Sequence, residues 1–84
     1  MKDTNVKILD EENKGRYANN MQIAHTKEEF ILDFMLIYET EGKIETGVVT
    51  NRVIVSPTHL KRISMAINDN IIKYENKNGE INLI

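Results

Sequence analysis

The stretch after Ser56-Pro57 constrains this chain more than any other. Leu60, Ile63, Ile67, Ile71 and Tyr74 recur at steps of three and four, which on a helix makes one continuous apolar stripe. Ser56 is placed to accept a hydrogen bond from a free N–H of the first turn. Pro57, at the first helical position, gives up a donor that would have had no partner. The pattern predicts a helix over about 57–76 that stops near Asn78-Gly79, where Asn or Gly takes a left-handed cap. The segments before it must supply a surface for that stripe.

Those segments read as strands. Met21 and Ile23 alternate with Gln22 and Ala24, a period of two that predicts a half-buried strand over about 17–26. In the next segment Phe30, Leu32, Phe34, Leu36 and Tyr38 share one face, with Ile31, Asp33, Met35 and Ile37 on the other. Both faces are largely apolar, as in a central strand covered on two sides. A helix also fits this segment. Thr26 and Glu29 have capping-box spacing, and Phe30, Ile31, Phe34, Met35 and Tyr38 would form a helical stripe. Its aromatic and β-branched content favours the strand. Gly42, among charged residues at 39–45, marks a turn, and the Thr- and Val-rich 46–55 reads as a third strand.

The expected fold is α+β: a three-stranded antiparallel meander followed by one long C-terminal helix packed on the sheet. Residues 1–15 read as a flexible lead-in, 16–79 as a single domain and 80–84 as a short tail. One helix covers one face of a sheet, yet two strands are apolar on both, and Met65 and Ile72 lie off the helical stripe. Apolar faces of that extent rarely stay open on a monomer, so a homodimer or a partner-binding groove is expected.

Composition narrows the chemistry. At 84 residues the chain can bury only a marginal core. It has no cysteine, which removes disulfide staples, thiolate metal sites and a cysteine nucleophile, and makes the cytoplasm the expected setting. No apolar run approaches the roughly 18 residues of a membrane span, and the polar first 15 residues are not a signal peptide. A net charge of −2 argues against a strong non-specific nucleic-acid binder. There is no G-x-S-x-G elbow, glycine-rich phosphate loop or H-E-x-x-H helix, and neither His25 nor His59 has a partner at metal-ligand spacing. No catalytic residue, metal or cofactor is therefore expected.

Three groups of residues remain as candidates. Asp33 interrupts the central strand and reads either as a general base or as an ion-pair partner of Arg52; the pairing rule for buried charge favours the pair. Arg52, His59, Lys61 and Arg62 surround the predicted helix start, where free N–H groups and the helix dipole favour an anion or an acidic partner. A capped helix with a solvated basic face accounts for the same residues. Tyr17, Asn19, Met65 and Ile72 are candidate interface positions, Tyr and Asn being ready contact-makers.

Four strings carry a family resemblance: Y-A-N at 17–19, E-F-I-L-D-F at 29–34, R-V-I-V-S-P-T-H-L-K-R-I at 52–63 and N-I-I-K-Y-E at 70–75. Over residues 16–79 the chain resembles the small bacterial and archaeal family known as domain of unknown function 3467. The Ser-Pro-x-His-x-Lys-Arg segment is its most specific part. One departure is that the family usually has a proline after the central strand, whereas 39–43 has none. The resemblance implies a stand-alone domain with strands ahead of the helix. It marks Tyr17, Asn19, Arg52, His59, Lys61 and Arg62 as motif positions and supplies no activity. The functional expectation is a non-catalytic interaction module, a homodimer or a small accessory subunit of a larger assembly. The alternative is a nucleic-acid-binding protein that contacts phosphates through the basic start of the helix.

Overall fold

A computed structural model describes residues 4–12 and 14–84. The lead-in expected over 1–15 includes residues 1–3 and 13, which lie outside the described residues. After a short 3-10 turn at Asp10–Glu12 come β1 (Asn20–His25), β2 (Phe30–Thr40), β3 (Ile44–Val55) and α1 (Pro57–Asn78). Two tight hairpins join the strands into one antiparallel sheet in the order β1-β2-β3. The α+β class and the meander-then-helix order are those expected.

The strand reading of 30–38 holds, and the competing helix signature has a local explanation. The Thr26 hydroxyl accepts the N–H groups of Glu28 and Glu29, both at 3.2 Å, as a cap would. The Thr26 N–H also donates to the Glu29 carbonyl at 2.9 Å, so these bonds close the β1–β2 turn and start no helix. His25 and Phe30 flank that turn with their rings tilted at 5.3 Å. At the second hairpin the Lys43 N–H reaches the Thr40 carbonyl at 3.3 Å. Glu41 and Gly42 have φ of 55° and 76°, the mirror-image geometry that suits the twist of paired strands. Proline, fixed near φ −65°, could occupy neither position.

The chain divides into two compact units, 1–22 with 33–52 and 23–32 with 53–84. In the first, Asn19 extends the pairing of β1 beyond its own backbone. Its N–H donates to the Met35 carbonyl at 3.0 Å. Its side-chain amide donates to the Ile37 carbonyl and accepts the Ile37 N–H, each at 2.9 Å. The carboxamide thus stands in for a peptide group and satisfies both polar atoms of Ile37. Farther along, the Thr46 hydroxyl meets that of Thr40, and a Cβ at Gly47 would lie 3.7 Å from Ile37, while Arg52 meets Asp33. The first two pairs join positions of like parity and the third does not. Strand side chains alternate, so the pairing changes register by one residue between the Gly47–Ile37 and Arg52–Asp33 contacts.

In the second unit Ser56 caps α1 as predicted: its hydroxyl accepts the His59 N–H at 3.2 Å, with Pro57 in the first turn. The helix ends two residues beyond the expected Asn76. Gly79 takes φ 95° and ψ 165°, a glycine-only region distinct from the left-handed cap that was expected. Its N–H still reaches the Glu75 carbonyl at 2.9 Å. The tail then turns back, and the Ile81 N–H donates to the Glu75 carboxylate at 2.9 Å.

Among the described residues only Leu32 and Met35 are buried. All six β1 residues are exposed, and α1 has no buried residue. The second unit holds three residues of each strand, about 10 Å of sheet, against roughly 33 Å of helix. Leu60 and Ile63, in the first turns of α1, are half-buried, whereas Ile67, Ile71 and Tyr74 are exposed.

Candidate interaction surface

Asp33 and Arg52 meet in the first unit as a two-pronged pair. Arg52 Nε lies 2.7 Å from Asp33 Oδ1, and a terminal guanidinium nitrogen lies 2.9 Å from Oδ2. These hydrogen bonds hold the Asp33 carboxyl below the usual carboxylate range; partial desolvation opposes the shift and the positive charge adds to it. The same bonds raise Arg52. This is the ion-pair reading of Asp33, and it occupies the planar fork that an anion would need. Arg52 therefore serves β2–β3 pairing. Asn19 is engaged with Ile37, as described above, while Tyr17 stands exposed.

The basic residues of the helix start do not converge. At about 100° per residue, His59 and Arg62 share one side of α1 and Lys61 points roughly opposite His59. The Ser56 cap already satisfies the His59 N–H. Lys61 and Arg62 are exposed, and neither makes a salt bridge among the described residues. The arrangement is a solvated basic helix start with no anion cradle. Among the described residues no three His, Asp or Glu side chains gather as a metal site would require.

The built feature of the second unit lies farther along α1. Ala66, Ile67, Asn70, Ile71 and Tyr74 form one wall of a groove of about 440 Å³, and Ile81 of the returning tail forms the other. Ile67 is 55%, Ile71 39% and Tyr74 53% exposed. The floor is the apolar stripe predicted to pack on the sheet, left open in its C-terminal half. Met65 and Ile72 lie on another side of the helix, 66% and 49% exposed, with Lys61 one turn before Met65. The sequence reading missed Ile81, whose place depends on the backbone turn at Gly79. An apolar residue two positions past a helix-ending glycine was the available signal.

No helix among the described residues is long and apolar enough to cross a membrane. No curated protein and no solved structure matches this chain. One family model does match, over residues 1–83, and its description is "Protein of unknown function (DUF3467)". The match takes in the hairpins, the Arg52–Arg62 segment and the grooved helix together, and the chain belongs to the DUF3467 family.

Proposed function

We propose that this chain is a non-catalytic interaction module, a homodimer or a small accessory subunit, whose apolar surface is completed by another protein. The observation that carries this is the scarcity of burial. Among the described residues only Leu32 and Met35 are buried. Large apolar side chains stand exposed on the strands and along α1, among them Ile23, Val53, Ile67 and Tyr74. A partner that covers them supplies the burial that the single chain lacks. The absence of cysteine suits a reducing compartment, and the cytoplasm is the proposed setting.

The nucleic-acid alternative has less support. Arg52 is engaged by Asp33, the remaining cations diverge around α1, and the net charge is −2. Thermal unfolding over a hundredfold range of chain concentration tests the proposal. Unfolding of an assembly is concentration-dependent, so the midpoint should rise by several degrees. A sharp, cooperative transition whose midpoint ignores concentration would contradict the homodimer, and a tagged chain that also co-purifies with no other protein would contradict the accessory subunit.

A further inference from the structure

We infer that Asn78-Gly79, at the end of α1, is a self-modification site: the Asn78 side-chain amide is lost through a cyclic imide, and the product frees the tail at Ile81. The inference is independent of what the chain binds. Asn78 and Gly79 are exposed, and theirs is the one Asn-Gly pair in the sequence. A glycine nitrogen has no neighbouring Cβ to hinder its approach to the preceding side chain.

In the reaction the Gly79 nitrogen gives up its proton and bonds to Asn78 Cγ. The Cγ–Nδ2 bond breaks, and the nitrogen leaves as ammonia. Water then opens the imide at either of its carbonyls. Opening at Cγ leaves an aspartyl residue at position 78, and opening at the main-chain carbonyl leaves an isoaspartyl residue. Two hydrogen bonds of the last helical turn restrain the start of this sequence. The Gly79 N–H donates to the Glu75 carbonyl at 2.9 Å, and the Asn78 side-chain amide donates to the Tyr74 carbonyl at 3.2 Å. Both lie at a solvent-exposed helix end, where opening costs least. The reaction therefore runs through the frayed last turn.

The product cannot restore what it replaces. A carboxylate at position 78 has no N–H for Tyr74, and it adds negative charge at the negative end of the helix dipole, near Glu75 and Glu80. The isoaspartyl form also inserts one backbone atom ahead of Gly79, which displaces the N–H held by Glu75. The same turn carries the Ile81 N–H to the Glu75 carboxylate and sets Ile81 as the far wall of the groove. Conversion thus loosens that wall.

The test incubates the folded chain in mildly alkaline buffer and follows the tryptic peptide after Lys77 by mass spectrometry. That peptide, 78–84, also holds Asn82, which precedes Leu83 and serves as the internal comparison. Asn78 should convert roughly tenfold faster than Asn82 or more, because only its neighbour lacks a Cβ. Asn78→Gln, which would need a larger ring, should keep its mass. Urea-unfolded chain should convert several-fold faster than folded chain. In converted protein, separated by its added charge, hydrogen exchange at the Ile81 N–H should be several-fold faster than in the parent. Asn78 converting no faster than Asn82, or not at all, overturns the site. Equal rates with and without urea overturn the restraint by the last turn, and unchanged Ile81 exchange in the converted chain overturns the release of the tail.

Discussion

Asp33 is a carboxylate set in an apolar strand, and such a group needs a partner before it can stay charged. Arg52 supplies one with two hydrogen bonds, and the pairing lowers the Asp33 pKa. A carboxyl whose folded pKa lies below its unfolded value contributes stability that is fully present above the unfolded value. That contribution is lost as pH falls through the folded one. The urea midpoint of the native chain should therefore drop between neutral pH and about pH 3, more steeply than that of Asp33→Asn. Identical acid dependence in the two proteins would show that the pair does not couple to folding. The pair was legible from sequence because a lone charge in an apolar run leaves few solutions. The use of Asn19 as a surrogate peptide group was not, since it depends on where the backbone pairing of β1 begins and on which polar atoms of Ile37 are then left open.

Elements with signals at both ends were the easiest to read. α1 has Ser56-Pro57 at its start and Gly79 at its end, and its bounds fall within two residues of expectation. The segment from Phe30 was harder because both periods fit its apolar residues, and Thr26 makes cap-like bonds in a turn as readily as at a helix. The β2–β3 hairpin holds an unexploited gain. Glu41 sits at φ 55°, where the Cβ of an L-residue crowds the following carbonyl and asparagine is better tolerated. Glu41→Asn creates the Asn-Gly pair that such turns prefer, and stability should rise by up to about 1 kcal/mol. A fall in the denaturation midpoint of Glu41→Asn would show that the turn is not held in this geometry. The returning tail escaped the sequence reading because the Glu75–Ile81 bond exists only once Gly79 has turned the chain.

At the scale of the molecule the central point is unmet apolar surface. Among the described residues two buried side chains and an open groove on α1 support the proposal that another protein completes the apolar surface. The sequence announced this through the double-sided apolar pattern of its strands and through Met65 and Ile72. It could not say which part of the helical stripe would stay open, because that follows from how much sheet each unit provides. The most direct test measures the native particle mass of the chain and identifies what co-purifies with it. A particle heavier than the 9.7 kDa chain is predicted, either two copies or one copy with another protein bound. A particle of one chain mass at every concentration, with no other protein bound, would contradict the account.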